Sequence, residues 1–558
     1  MRTEITGDVA VERDHEVAVR DGVVLRADVY RATGGEDAPV LLQRTPYDKS
    51  VFTELGVHYA RAGYTAIFQD VRGQFASDGV WQPFENEAAD GFDTVAWAAA
   101  LPGTTGRVGM IGTSYQASCA WQAARLRPPA LAALACGVTP VDYYTDWVYP
   151  GGAFALAMNT TWLLRNVASS ASARLPDGAA LQAGMTAAYD DLIDRWWRYL
   201  PLDELPPLLP DRPEVAGYFF DWIDHPTRDE YWERISLRGV HADIDIPVLN
   251  VAGWYDVFVN AGIEAFGALP DGRKRLVVGP WDHNTWGKEP GEVDFGPSAM
   301  FSFPGAVVAW MDRWLKGHRP ATEPAPVRYF RMGDLTWQEA PTWPPPGTTE
   351  LRLLLDGGGR LVEGGAPTGA DSYVYDPSDP VPSIGGRSCC YPPSPIGPRD
   401  QRALAGRPDV LGYATDPLDH PLELAGPVRV ELYASSTAPD TDFTAKLVDV
   451  HPDGTAINVC EGIIRARLRE GFDREVLLTP GETVRLDIDL AATAIVFGPG
   501  HRVRLEISSS NFPTFDRNPN TGAPFGRDAR MVTARQHIHH DAAHPSALVL
   551  TAVPRTDG

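Results

Sequence analysis

The stretch Gly109-Met110-Ile111-Gly112-Thr113-Ser114-Tyr115-Gln116-Ala117-Ser118 decides how this chain is read. The apolar run Val108 to Ile111 reads as a short buried strand, and the helix-forming segment Gln116 to Arg125 follows at once. One serine flanked by small residues stands between them. A strand that turns this sharply into a helix pushes the serine hydroxyl out of the backbone, the geometry of a nucleophile elbow. The turn needs a residue with almost no side chain two before the serine, and Gly112 supplies it. Gln116 stands two after the serine, where the motif has its second glycine; Ala117, one further on, is the small residue that lets turn and helix approach.

Working outward, the pattern alternates. Glu16-Val-Ala-Val-Arg20 and Val23-Val-Leu-Arg-Ala-Asp-Val-Tyr30 flank Asp21-Gly22 as a hairpin. Pro39 to Arg44 and Tyr64 to Asp70 read as buried strands, with helices predicted over Phe52 to Ala62 and Glu85 to Ala100. Strand, helix, strand, helix, strand describes a parallel sheet with crossover helices. From Asp142 to about Val240 the chain becomes aromatic and helix-like, the pattern of an inserted helical unit. Strands resume at Ile246 to Gly253 and Arg275 to Gly279, followed by a helix over Ala306 to Leu315. After the linker Ala340-Pro-Thr-Trp-Pro-Pro-Pro-Gly347, short alternating runs dominate, among them Val428 to Tyr433, Phe443 to Val450 and His501 to Ile507. The expected fold class is therefore α/β: a parallel-sheet core over residues 1–141 and 241–348, which the resemblance named below makes an α/β-hydrolase core, a helical cap over 142–240 and a jelly-roll β-sandwich over 349–558.

Bulk properties narrow the function. A chain of 558 residues is too long for one core. The formal net charge of −24 argues against nucleic acid or an anionic membrane as partner. No apolar run reaches membrane-spanning length and no signal-peptide pattern follows Met1. The five cysteines, Cys119, Cys136, Cys389, Cys390 and Cys460, form an odd, sparse set without metal spacing, which predicts reduced thiols in a cytoplasmic protein. Adjacent cysteines such as Cys389 and Cys390 rarely close a relaxed disulfide. No phosphate-cradling loop is present, so no nucleotide cofactor is expected. His537, His539 and His540 could put two imidazoles on one strand face, but no carboxylate arrangement completes a metal site.

A serine becomes a nucleophile when a base takes its proton, and a carboxylate fixes the base's tautomer. In α/β-hydrolases the partners follow in the order acid, then histidine, on loops after later strands. Asp256 follows one predicted strand and His283 the next, so Ser114, His283 and Asp256 are the expected triad; Asp282, beside the histidine, competes with Asp256. The Tyr115 N–H, next after the serine, is one oxyanion donor by construction of the elbow. The loop after an early strand should give the other, and it holds Tyr47, whose phenol is as readily a packing aromatic.

Several motifs together resemble the cocaine-esterase-like branch of the X-Pro dipeptidyl-peptidase-like hydrolases. These are Arg44-Thr-Pro-Tyr-Asp-Lys49, Gln69-Asp-Val-Arg-Gly-Gln-Phe-Ala-Ser-Asp-Gly79, Gly112-Thr-Ser-Tyr115, Ala252-Gly-Trp-Tyr-Asp256, Val278-Gly-Pro-Trp-Asp-His283, Asp442-Phe-Thr-Ala-Lys-Leu-Val-Asp-Val450 and Ser508-Ser-Ser-Asn-Phe-Pro513. The resemblance runs almost end to end. It implies a helical cap, a jelly-roll domain, and Tyr47 as the second oxyanion donor; a glycine common in relatives is Ala117 here. It implies a pocket where the three units meet, with Trp147, Trp162 and Phe258 against an aromatic acyl group, although ordinary core packing accounts for the same residues. Related amino-ester hydrolases hold a substrate ammonium with clustered carboxylates; Asp146 falls near such a place, while Val257-Phe258-Val259 stands where further acids occur. Relatives also leave a homodimer open.

The expected activity is hydrolysis of a small-molecule carboxylic ester, with an apolar or aromatic acyl group, through an acyl-enzyme. The alternatives are an X-Pro dipeptidyl-peptidase or amino-acid ester or amide acylase, for which Asp146 is the one hint of an amino anchor. A different class is a carbohydrate-binding module acting through the jelly roll, which shows no aromatic platform apart from its core pattern. Arg72, Asp70 and Asp93 read as structural ion-pair or loop residues.

Overall fold

The half of the chain that carries the serine pairs as its periodicity predicts. In the computed structural model, which describes residues 2–284, 286–365, 367–389 and 396–555, β1 (Arg2–Thr6), β2 (Val9–Ala18) and β3 (Val24–Ala32) form an antiparallel meander. Next come β4 (Ala38–Thr45), β5 (Thr65–Asp70), β6 (Thr104–Thr113), β7 (Leu131–Gly137), β8 (Val248–Gly253) and β9 (Lys274–Gly279), all parallel. β10 (Val327–Arg331) continues the parallel run and β11 (Thr336–Ala340) closes it antiparallel. Among the described residues the strand order is β1-β2-β3-β5-β4-β6-β7-β8-β9-β10-β11. The chain steps outward from β4 to β5, then crosses back to β6 on the other side of β4.

Helices cover the parallel strands: α1 (Thr53–Arg61), α2 (Glu87–Ala99) and α3 (Tyr115–Arg125). That coverage is why β5 and β8 are buried at every position. Several elements escape the periodicity, among them β10 and β11, which continue the sheet beyond the helix expected to close it. β6 begins at Thr104, four residues before the apolar run, and β7 was not assigned at all. Its sequence Leu-Ala-Ala-Leu-Ala-Cys-Gly is rich in small residues without strand preference, and its place between β6 and β8 makes it a strand.

Between β7 and β8 the chain forms α4 (Leu156–Trp162), α5 (Ala168–Ala173), α6 (Gly178–Asp190), α7 (Pro213–Asp224) and α8 (Glu230–Glu233). Trp147, Trp162, Trp197, Trp222 and Trp232 are all fully buried, in one apolar cluster shared with α3. The insertion thus packs on the core through aromatic surface. After β8 come α9 (Val259–Ala268) and, after β9, α10 (Phe303–Leu315).

The last part is all-β: β12 (Thr349–Asp356), β13 (Arg360–Val362), β14 (Ala370–Tyr375), β15 (Leu411–Ala414), β16 (Leu422–Ser436), β17 (Asp442–Val450), β18 (Ala456–Arg465), β19 (Val484–Phe497), β20 (Arg502–Ser508), β21 (Ala534–His539) and β22 (Ala547–Ala552). Leu432 and Leu486 from the β16–β19 pair share an apolar core with Phe443 and Ile464 from the β17–β18 pair, the packing of a sandwich. Arg465 clamps this unit to the cap. Its guanidinium reaches Asp442 and Asp516 at 2.8 Å, and Asp516 accepts the Phe154 N–H at 2.9 Å.

Cys119, Cys136 and Cys460 are free and buried. Cys389 is disulfide-bonded, which corrects the expectation of a wholly reduced set. An odd count excludes complete pairing, not a single bridge. Cys390 lies outside the described residues. No described helix is long and apolar enough to cross a membrane. Asp70 accepts the Lys49 N–H, Arg72 pairs with Asp90 and Arg20 with Asp93, all as structural contacts. His537 and His539 stack at 6.3 Å on one strand face, as their alternation predicts, while His540 turns to Asp371.

One buried histidine has a thermodynamic signature. His241 is 1% exposed and packs edge-on against Trp121 at 4.6 Å. Burial holds its imidazole neutral, with the pKa lowered to about 4. The unfolded chain binds a proton below the ordinary histidine value near 6.5 and the folded chain does not, so this group's stability is present above about 6.5 and lost as pH falls toward 4. Between pH 7 and pH 4.5 the wild type is expected to lose roughly 2 kcal/mol more than His241→Gln, read from urea unfolding at both pH values. Equal losses would contradict a neutral buried imidazole.

Candidate active site

The turn from β6 into α3 has the strained geometry its sequence requires. Ser114 lies at φ 56° and ψ −127°, a left-handed conformation that an L-residue holds only when its surroundings enforce it. The Ser114 N–H donates to Gly137 O at 2.9 Å, pinning the turn to the end of β7. A Cβ on Gly112 would sit 2.5 Å from Gln116 Cβ and 2.7 Å from its carbonyl carbon. Glycine is therefore needed before the serine, whereas α3 accommodates Gln116 and the buried Ala117 after it.

Two loops at the same sheet edge bring the partners. Asp256 follows β8 and His283 follows β9. His283 Nε2 is 3.0 Å from Ser114 Oγ, and its Nδ1 is 2.5 Å from Asp256 Oδ2. Asp256 is fully buried, and its other oxygen accepts the Phe258 N–H at 2.8 Å, which fixes the carboxylate plane. Asp282 instead accepts the Asn284 N–H at 2.8 Å within its own turn. Asp256 is the carboxylate that meets the imidazole.

Tyr47, on the loop after β4, accepts the Trp162 indole N–H at 2.9 Å, and its phenol lies close enough to Ser114 to feel the serine side chain. Burial pushes its phenol well above the ordinary tyrosine range, so the proton stays on. The Tyr115 N–H opens α3 and has no intrahelical acceptor. Tyr115 follows the serine directly, and its ring meets that of Tyr47 edge-on at 6.4 Å.

Beneath the elbow lies a buried network the sequence reading passed over. The Tyr115 phenol donates to Glu87 Oε1 at 3.0 Å and accepts the Phe84 N–H at 3.0 Å. Glu87 Oε2 meets Arg44 Nη1 at 2.7 Å, and Arg44 Nε donates to Gln69 at 2.8 Å. Burial raises the Glu87 carboxyl while Arg44 opposes the rise. The one available signal was an acidic residue, Glu87, at a core-facing position of α2.

The aromatic candidates form a continuous wall. The Phe258 ring lies edge-on to His283 at 5.4 Å and contacts Trp147 at 5.4 Å; Trp147 meets Trp162 at 5.0 Å, and Trp162 holds Tyr47. Trp81 extends it, 5.8 Å from Trp162 and 5.9 Å from Tyr115, from a loop with no periodicity to mark it. Asp146 does not join this wall. Its Oδ2 accepts the Val141 and Asp142 N–H groups at 2.9 and 2.8 Å, and burial lifts its pKa to about 6. It borders a separate cleft of about 310 Å³ with Val257, Glu264, Arg387 and Glu461, at the meeting of cap, core and sandwich. None of Ser114, Asp256 and His283 lines that cleft.

A parallel sheet with crossover helices, a serine on a strained strand–helix turn, and acid and histidine on successive loops beyond it define a serine hydrolase of the α/β-hydrolase class. Within that class the chain belongs to the X-Pro dipeptidyl-peptidase (S15) family. Residues 21–285 match that family, and residues 320–549 match the X-Pro dipeptidyl-peptidase C-terminal non-catalytic domain. The chain is 38% identical to the cocaine esterase of Rhodococcus sp. (strain MB1 Bresler), across 99% of this chain and all of that one. It is 28% identical to a putative serine esterase of Mycobacterium tuberculosis (strain CDC 1551 / Oshkosh), over 93% of each. Among solved structures it is similar to an α-amino acid ester hydrolase, with TM-score 0.81 and 26% identity over 99% of this chain and 98% of the other. An aminopeptidase from a marine sediment archaeon (Thaumarchaeota archaeon) shares the fold at TM-score 0.81 and 24% identity, over 99% of each chain.

Proposed function

We propose that the protein hydrolyses carboxylic esters with an apolar or aromatic acyl group through an acyl-enzyme on Ser114. His283 Nε2 takes the Ser114 proton as Oγ attacks the ester carbonyl, and Asp256 holds the imidazole in the tautomer that can accept it. The oxyanion of the tetrahedral intermediate accepts from the Tyr47 phenol and the Tyr115 N–H. The intermediate collapses, and His283 returns the proton to the departing alkoxide. Water then repeats the sequence on the acyl-enzyme, releasing the carboxylic acid. The cap over 142–240 supplies Trp147 and Trp162, and the core supplies Phe258.

The observation that carries the substrate class is the unbroken ring wall from His283 to Tyr47. Trp147, Trp162 and Phe258 are no more than 1% exposed, so an acyl group whose carbonyl sits between His283 and Tyr47 meets indole and phenyl surface as these rings give way, where burying an aromatic ring contributes about 25 cal/mol per Å². The relatives' names support ester chemistry. An amino-acid or X-Pro substrate needs an anchor for its ammonium, and Asp146 is occupied by its own backbone turn.

The test is p-nitrophenyl ester hydrolysis across acetate, butyrate and benzoate, with Phe258→Ala beside the wild type. The wild type is expected to favour benzoate in kcat/KM, and Phe258→Ala to reduce that preference about tenfold. A preference for α-amino acyl esters would overturn the reading in favour of an amino-acid ester hydrolase. Tyr47→Phe is expected to lower kcat by about 10²–10³ with KM little changed, because its phenol donates most strongly to the oxyanion. The same change leaves the Trp162 N–H without its acceptor, so a lowered melting temperature should accompany it. An unchanged kcat would remove Tyr47 from the oxyanion hole.

A further inference from the structure

The sandwich carries a second convergence of functional side chains, none of which belongs to the Ser114–His283–Asp256 cluster. Asp449 ends β17 but one residue, His451 follows it, and His501 precedes β20. β17 and β20 pair antiparallel with Asp449 opposite Val503 and Val450 opposite Arg502. Continuing this register one step sets His451 across from His501. Asp449, two residues before His451, shares the same face, since side chains alternate along a strand. The three meet as this predicts. Asp449 Oδ1 is 2.8 Å from His501 Nδ1, its Oδ2 is 3.3 Å from His451 Nε2, and the rings lie 4.4 Å apart.

One nitrogen from each ring and one carboxylate oxygen all lie within 4.8 Å of one another. A tetrahedral cation with bonds of about 2.0–2.2 Å holds its ligand atoms about 3.3–3.6 Å apart, so small side-chain rotations suffice to admit one. The carboxylate is largely buried, its side chain 8% exposed, against 20% for His501 and 38% for His451. A cation beside this carboxylate would offset the cost of a buried negative charge. Gly498 seats the His501 ring: a Cβ there would come 3.1 Å from Nε2 and 3.2 Å from Cδ2, so the ring lies against the glycine and turns Nδ1 toward Asp449. The exposed side of His451 leaves room for water as a fourth ligand.

We propose that Asp449, His451 and His501 form a three-ligand site for a first-row divalent transition cation, tying the β17–β18 turn to the start of β20. Two imidazoles and one carboxylate suit Zn²⁺ or Co²⁺ better than Mg²⁺ or Ca²⁺, which take all-oxygen shells. The cation has a structural role. Asp442, where β17 meets the cap-binding Arg465, lies seven residues along the strand, about 23 Å away at 3.3 Å per residue.

The experiment uses the full chain after chelation and dialysis. Co²⁺ titration is expected to give the visible absorption of a four-coordinate N/O site at one equivalent, and Zn²⁺, competing against a chromophoric indicator, to bind with Kd of about 10 μM or tighter. Zn²⁺ should also raise the melting temperature. His451→Ala and His501→Ala should each weaken binding about 100-fold and abolish the shift, while ester turnover measured without metal stays at the wild-type rate and so reports an intact fold. Should His501→Ala fail to fold, His451→Ala, at the more exposed ring, carries the test. Wild-type affinity retained in His451→Ala, or no Zn²⁺ binding by the wild type at about 100 μM, would overturn the proposal.

Discussion

Ser114→Ala is expected to lower ester turnover by about 10⁶, to the level left by the oxyanion donors and binding alone. The substitution removes one oxygen and keeps Cβ, so the left-handed turn at φ 56° loses no support it had. The fold should therefore survive, with a melting temperature close to that of the wild type. His283 loses its Oγ partner at 3.0 Å, and among the described residues no other hydroxyl or thiol is hydrogen-bonded to its Nε2. Turnover on p-nitrophenyl benzoate measures the loss. Retention of more than about one part in 10³ of wild-type kcat, in protein free of wild-type contamination, would mean that another nucleophile operates.

Asp256→Asn carries the second-largest effect, about 10⁴ in kcat at neutral pH. The reason lies in the two hydrogen bonds of the buried carboxylate. One oxygen accepts the Phe258 N–H at 2.8 Å and the other faces His283 Nδ1 at 2.5 Å. An asparagine keeps the first bond only by placing its oxygen there, which turns its NH₂ toward Nδ1. The imidazole must then accept at Nδ1 and carry its proton on Nε2, facing Ser114 Oγ with a hydrogen where a lone pair is needed. The shape of the site is unchanged, so KM should move far less than kcat. If Asp282 were the working carboxylate, Asp256→Asn would cost little and Asp282→Asn would cost the larger factor.

The geometry of the proposed triad is legible because it sits where local sequence dictates local structure. Gly112 before Ser114 marks a turn that only glycine permits, and the strand-then-loop pattern before Asp256 and His283 places both at one sheet edge. Their meeting follows from the parallel topology, in which the ends of successive strands share an edge. Asp146 shows where such reading stops. A carboxylate in the cap looks like a possible amino anchor, yet it closes its own backbone turn, which only the path of the chain at Val141 and Asp142 decides. β7 was missed because small residues carry no periodicity, and neighbours on both sides rather than propensity make it a strand. Trp81 and the Arg44–Glu87–Tyr115 network depend on contacts between segments far apart in the chain, for which no spacing rule exists.

The most direct test of the account is to trap the covalent intermediate. The protein is treated with a fluorophosphonate or a slowly deacylating aryl ester, digested, and the modified peptide sequenced by mass spectrometry. The account predicts one adduct per chain, on the Ser114 hydroxyl, absent from Ser114→Ala and formed more slowly in Asp256→Asn. An adduct on a different residue, or equal labelling of wild type and Ser114→Ala, would contradict it.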